Sequence, residues 1–238
     1  MTHTLSATRH PASVTSAARP AARRALAGGA AAGPLFLALG VAQGLARDGF
    51  DFTRNAISQL ALGEAGWIQT VNFLLTGVLL LMGATGLRRA LRGGTGGTWG
   101  PVLVGVFGAS FWAAAIFPAD AGAGFPAGAP DTATLSGHGA AHMAAGTVGY
   151  LALCAAFVVL ARPLAARGHH GWARASRLVP VAVLAGFTAS AAFVPAFTAG
   201  AGLGLLWLAA VTARLAATPA TRLAVAPATR LAVAPANR

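Results

Sequence analysis

Lysine is absent from the chain, acids number only five, and cysteine occurs once. A soluble globular domain carries about 25% charged residues, whereas Asp, Glu, Arg and Lys together make up 9% here. That shortage excludes an ordinary solvated surface. The single Cys154 forbids an intrachain disulfide, so its burial in an apolar run reads as that of a small hydrophobe. No dense set of metal ligands and no convincing nucleophile–base pair occurs. The absence of lysine beside abundant Arg, Ala, Gly and Pro has the look of genomic base composition, and no mechanism is drawn from it.

What is abundant is apolar. Hydrophobic residues account for 56% of the chain and mean hydropathy is +0.66. They come in blocks near 20 residues long, and about 20 residues at 1.5 Å each cover a hydrocarbon core of about 30 Å. The fold expected is an all-α, polytopic bundle of about six transmembrane helices. The spans read as Ala25–Ala46, Trp67–Leu87, Trp99–Phe117, Gly139–Ala161, Leu178–Pro195 and Phe197–Ala213. Residues 1–24 read as a disordered basic tail, 25–213 as the membrane domain and 214–238 as a repetitive, disordered tail. TRLAVAPA at Thr221–Ala228 recurs at Thr229–Ala236, and proline at every eighth position forbids a long helix. The Arg19, Arg23, Arg24 cluster before an apolar run imitates a signal peptide. The run is too long for an h-region, so the first span is expected to be retained.

Charge orients the bundle. With both termini cytoplasmic, fifteen of seventeen arginines fall inside, and only Arg47 and Arg54 lie outside. The positive-inside rule asks for this bias. Asp48, Asp51, Glu64, Asp120 and Asp131 then all lie outside. The expected location is the cytoplasmic (inner) membrane. A net charge of +12 suggests nucleic acid in a soluble protein, but arginines interleaved with apolar blocks are a membrane topology signal, and no nucleic-acid partner is expected. Expected partners are membrane lipids, and a second copy of the chain through small-residue helix faces such as Gly40–Gly44 and Gly200–Gly204.

Polar residues suited to chemistry gather at the outer side. The first loop carries Asp51, Arg54, Asn55, Ser58, Gln59 and Glu64; Asn55, Ser58 and Gln59 share a face at helical spacing. Asp120 follows the third span in IFPAD. His138 and His142, four apart at the start of the fourth, point along one helical face, with Asp131 upstream. His142, Asp120 and Ser58 are candidate catalytic residues. His138, His142, Asp120 and Asp131 are candidate metal ligands, since an HxxxH pair binds a metal once a third ligand arrives. The competing expectation is structural: Asp120 pairs with His142 and pins spans three and four, while Asn55, Ser58 and Gln59 staple the loop.

These segments resemble the DUF998 family of multi-spanning prokaryotic membrane proteins. The resemblance rests on ISQLALGEAGWIQTVNFLLTG at Ile57–Gly77, GLRRAL at Gly86–Leu91, FPAD at Phe117–Asp120 and TLSGHGAAH at Thr134–His142, with a Trp–Arg pattern at Trp172–Arg177. Together they cover Leu35 to Ala213. The family's Ser–acid–Leu pattern in the first loop maps onto Ser58 and Leu60, with Gln59 in place of the acid, which weakens any role needing a carboxylate there. Asp120 and His142 match the family's Asp and His. The resemblance implies membrane residence and no particular activity.

Three functions compete on this reading. The leading one is a membrane protein that recognises a lipid or partner through an outer-facing polar pocket, without a cofactor. The second is a membrane-embedded hydrolase in which a divalent metal activates water against a lipid or headgroup. The third is a small transporter, against which stands the near absence of ionisable residues at mid-membrane.

Overall fold

The structure is a computed structural model that describes residues 13–132, 134–190 and 192–217. Six α-helices make up the bundle: α1 (Ser13–Ala46), α2 (Gly66–Ala90), α3 (Trp99–Ile116), α4 (Gly137–Ala166), α5 (His170–Ala189) and α6 (Val194–Ala217). A short 3-10 helix, Ile57–Ala61, lies in the first loop, and there is no strand among the described residues. Each helix packs on its neighbours in sequence, and α6 packs back on α1 to close a ring. Successive helices run antiparallel, so two ends can be distinguished by charge. Arg23, Arg24, Arg88, Arg89, Arg92, Arg162, Arg167, Arg174, Arg177 and Arg214 lie at or near one end. Arg47, Arg54 and all five acids lie at the other, hereafter the acidic end.

The surface pattern is that of a protein in lipid. On α2 the exposed positions include Val71, Leu74, Leu75, Val78 and Met82, while Gln69, Asn72 and Thr76 are buried. Glycines make the ring tight. A Cβ at Gly29 would lie 2.6 Å from the Cα of Gly83, so α1 and α2 cross backbone to backbone. The inner faces are filled by Leu80, Phe107, Leu153, Phe157, Leu160 and Leu208, each almost fully buried.

Five helices contain segments long and apolar enough to cross a bilayer: Pro20–Ala46, Gly66–Ala90, Trp99–Ile116, Gly137–Ala166 and Val194–Ala217. The fifth helix, α5, falls outside that set and departs most from the sequence expectation. It begins at His170 instead of Leu178 and stops at Ala189 instead of Pro195. Its start is fixed by a Schellman turn after α4. Gly168 adopts φ +79°, its N–H donates to Ala165, and His169 N–H donates to Leu164. That reversal leaves no linker, so His170, Arg174 and Arg177 become helical although they are polar. Pro195 falls instead in the first turn of α6, where its missing N–H costs nothing.

The terminal expectations also shift. Helix α1 starts at Ser13, so residues 13–24 are helical where a tail was expected; the Ala-rich segment favours that state. Helix α6 runs to Ala217, and the repeat at 221–236 lies outside the described residues.

Candidate functional site

The acidic end is roofed by the first and third loops, and the roof is built mostly from side chain–backbone hydrogen bonds. Asn55 is fully buried; its Nδ2 donates to the carbonyls of Gly122 and Ala123, and its Oδ1 accepts from Asp51 N–H at 2.9 Å. Gln59 Nε2 donates to the carbonyls of Asp120 and Gly122 at 3.3 and 3.4 Å. Arg47 donates to the carbonyls of Leu60 and Leu62 at 3.3 and 2.8 Å and lies over the Phe125 ring. The 3-10 helix is seated on α1 where Gly40 leaves room for Ile57. Asn55 and Gln59 thus staple the loop, and Ser58 is left free to face inward.

The expected Asp120–His142 pair is not formed. Asp120 accepts from Ser136 N–H at 3.0 Å and from the Ser136 hydroxyl, and these bonds hold its carboxyl below the usual carboxylate range. Ser136 in turn caps α4, its Oγ accepting from Gly139 N–H at 3.0 Å. A side chain at 139 would collide with the Asp120 carboxylate, so glycine is required there. His142 instead lies 2.9 Å, through Nδ1, from the carbonyl of Phe117, which caps the C-terminus of α3. A carbonyl only accepts, so Nδ1 carries a proton in this contact and Nε2 is the ring nitrogen left to face the cavity. Spans three and four are therefore pinned as expected, but by two separate pairs of residues, Asp120 with Ser136 and His142 with Phe117. The physical reason is local: a helix end offers unpaired amides and carbonyls closer than either side chain is to the other.

The four candidate metal ligands do not converge either. Asp131 pairs with Arg54 at 2.9 Å on the exposed rim, and His138 packs edge-on against Phe117. Among the described residues no three His, Cys, Asp or Glu side chains come together.

Beneath the roof, inside the ring, is a cavity of about 90 Å³. Its walls are apolar, with Phe36, Phe73, Phe111 and Leu205 prominent. Ser58 and His142 both line it, so the structure brings together two of the three candidate catalytic residues and leaves Asp120 outside. Tyr150 and Thr198, which sequence reasoning did not single out, line it as well. The Ser58, Tyr150 and Thr198 hydroxyls and His142 Nε2 have no hydrogen-bond partner among the described residues. No charged side chain reaches the cavity. Tyr150 is flanked by the Phe107, Phe187 and Phe197 rings at 5.2, 5.0 and 6.3 Å, the last of which also lines the cavity. Its position as the only tyrosine of a membrane chain, one helical repeat inward from His142, was the available signal.

A second polar group went unread in the sequence. Gln43 Nε2 donates to Gln69 Oε1 at 2.8 Å, Asn72 Nδ2 donates to the same oxygen at 3.1 Å and to the Phe36 carbonyl at 3.2 Å. Thr76 continues this line, and Gln43 Oε1, Gln69 Nε2, Asn72 Oδ1 and Thr76 Oγ1 are buried without partners. The spacing of Gln69, Asn72 and Thr76 by three and four marks one helical face.

No curated protein and no solved structure matches the chain. The family model described as "Protein of unknown function (DUF998)" matches residues 30–234, which takes in α1 from Ala30 onward, α2 to α6 and both loops of the roof. On that match the chain, a membrane-type helical bundle, belongs to the DUF998 family.

Proposed function

We propose that the protein sits in the cytoplasmic membrane with both termini inside and recognises a lipid-like molecule through the roofed cavity. The orientation is supported by the segregation of charge: the arginine-rich end suits the cytoplasm and the acidic end the exterior. The ligand reading is carried by one observation, four polar groups without a hydrogen-bond partner among the described residues on an otherwise apolar wall. The Ser58, Tyr150 and Thr198 side chains are half-buried, and a bound molecule with hydrogen-bonding groups would supply their partners in an apolar setting.

Volume and charge narrow the chemistry. Complete ligand sites usually run to about 300–1,000 Å³, so a cavity of about 90 Å³ takes only part of a molecule. With three unpartnered hydroxyls and the His142 Nε2 on the wall and no acid or arginine beside them, the part accepted is uncharged and hydrogen-bonding, a hydroxyl or ester group. The remainder would extend into the bilayer or toward the roof. A metal-dependent hydrolase finds no support in the arrangement, because Asp120 and Asp131 are committed elsewhere.

Gly146 provides the test. It lines the cavity, and a Cβ there would meet nothing within 4 Å. Gly146→Leu should fill the space while favouring helix α4. Protein extracted gently from membranes is expected to carry a lipid with a neutral hydroxyl or ester group, identified by mass spectrometry. The variant should lose it with unchanged thermal stability. Equal lipid retention by both proteins would overturn the reading.

A further inference from the structure

At the arginine-rich end, on the opposite face of the molecule's length from the cavity, α1 and α6 enclose an open-sided groove of about 490 Å³. We propose that this groove is a binding site for one anionic phospholipid, independent of the cavity ligand. Its mouth is formed by Arg23 and Arg24, both exposed. Its walls are the methyl groups of Ala27, Ala30, Ala213, Ala216 and Ala217. The two parts match the two parts of such a lipid.

The charge is uncompensated from within. Neither arginine makes a hydrogen bond or ion pair among the described residues, where the one ion pair is Arg54–Asp131 at the far end. All five acids lie at that far end, about 30 Å away across a span of about 20 residues. Three other arginines at the near end are committed to protein. Arg88 donates to the Gly97 carbonyl and the Thr98 hydroxyl. Arg167 donates to the carbonyls of Pro163 and Ala90, and burial lowers its pKa. Arg214 stands over the Trp172 ring. Arg23 and Arg24 are presented outward, and guanidinium groups bind phosphate oxygens through paired N–H donors.

The walls supply the apolar half. Elsewhere the lipid-facing surface carries Val, Leu, Met and Trp, but between Pro20 and Val41 on α1 and after Leu206 on α6 no large hydrophobe is exposed among the described residues. A seam walled by alanine alone is concave, and an acyl chain fits where those bulkier side chains would otherwise project. Ala30 lies six residues beyond Arg24, about 9 Å deeper along α1. That offset places the phosphate at the mouth and the first acyl segments against the alanines. Charge alone would hold any anion at the surface; the groove selects one that also has a chain to bury.

The test uses the full chain purified in detergent, with phosphatidylglycerol and phosphatidylcholine as probes and native mass spectrometry as the readout. Phosphatidylglycerol should bind in preference to phosphatidylcholine. One basic residue near an anionic lipid surface contributes about 1 kcal/mol, so Arg23→Gln with Arg24→Gln should weaken binding about thirtyfold. Ala27→Leu with Ala213→Leu keeps the charge but fills the groove, and should also abolish the preference. Arg89→Gln with Arg92→Gln, at the same end but outside the groove, should leave binding unchanged. Equal loss in both arginine double variants would mean diffuse attraction to the whole end and would overturn the site. So would a cross-link between Ala27→Cys and Val225→Cys that persists when phosphatidylglycerol is added, because the chain's own tail would then fill the groove.

Discussion

Thr76 is the position where the structure predicts that removing a polar group strengthens the protein. It lies ten residues into α2, about 15 Å from the acidic end, and is fully buried. Threonines in membrane helices commonly donate to a carbonyl one turn back, as Thr70 does to Gly66 and Thr212 to Leu208. The Thr76 hydroxyl makes no such bond and has no other partner among the described residues. An unsatisfied buried hydroxyl costs about 1–3 kcal/mol. The unfolded chain in a membrane also finds partners, which holds measured interhelical terms nearer 0.6 kcal/mol on average. Thr76→Val keeps the shape and the β-branch, so packing and helix propensity barely change. The expected gain is about 0.5–1 kcal/mol, read from the unfolding midpoint of purified protein. Asn72→Leu should act in the opposite direction, because Asn72 donates to both Phe36 and Gln69. Each lost bond is worth about 1 kcal/mol, which outweighs relief of its unpartnered oxygen. A Thr76→Val variant less stable than the parent by about 1 kcal/mol would refute the reasoning, since the hydroxyl would then have a partner that α1 and α2 do not provide.

Two further predictions concern the ends of the bundle. Reporter fusions after Arg92 and after Arg177 should read cytoplasm and one near Asp131 the exterior; a cytoplasmic reading at Asp131 would reverse the proposed orientation. For Asp120, the folded carboxyl is held below its ordinary value by Ser136. The stability it contributes is therefore complete above the ordinary value of 3.8 and is lost as pH falls through the depressed one. Hydrogen exchange at residues 137–142 should accelerate over that acid window in the parent protein but not in Asp120→Asn, and identical profiles would show that the cap does not depend on the carboxylate.

Much of the architecture is legible before any coordinates. Trp67, Trp99 and Gly139 were expected to open the second, third and fourth spans, and the helices begin at Gly66, Trp99 and Gly137. Long apolar blocks leave little choice once the backbone must satisfy itself in lipid. Helix α5 escaped because a search for apolar blocks discards its first eight residues, whereas Gly168 and the turn it permits decide where the helix starts. The partners of Asp120 and His142 were not legible, since spacing reports which residues share a face and says nothing of competing backbone groups at helix ends. The line of Gln43, Gln69, Asn72 and Thr76 was passed over because a search for mid-membrane chemistry looks for ionisable side chains. Gln43 also lies 26 positions from its partner Gln69.

The assignment of Asp120 to the α4 cap bears on the choice between binding and catalysis. For the cavity to work as a hydrolase with these candidates, His142 would need an acid to orient it, and Asp120 is the family-matched acid nearest in sequence. Nδ1, the nitrogen such an acid would hold, is already bonded to the Phe117 carbonyl, and Asp120 is bonded to Ser136. Recruiting Asp120 would break the cap of α4 and leave Ser136 N–H unpaired, while freeing Nδ1 would leave the Phe117 carbonyl at the α3 terminus without its donor. Both costs fall on the α3–α4 hairpin that forms one wall of the cavity. The roof reinforces this conclusion. Gln59 holds the third loop by donating through its amide to two carbonyls, which an ionised carboxylate at that position could not do. The polar groups at this end are thus spent on fixing backbone, and those left over at the cavity are neutral hydroxyls and one imidazole nitrogen. Such a set can hold an uncharged group in place.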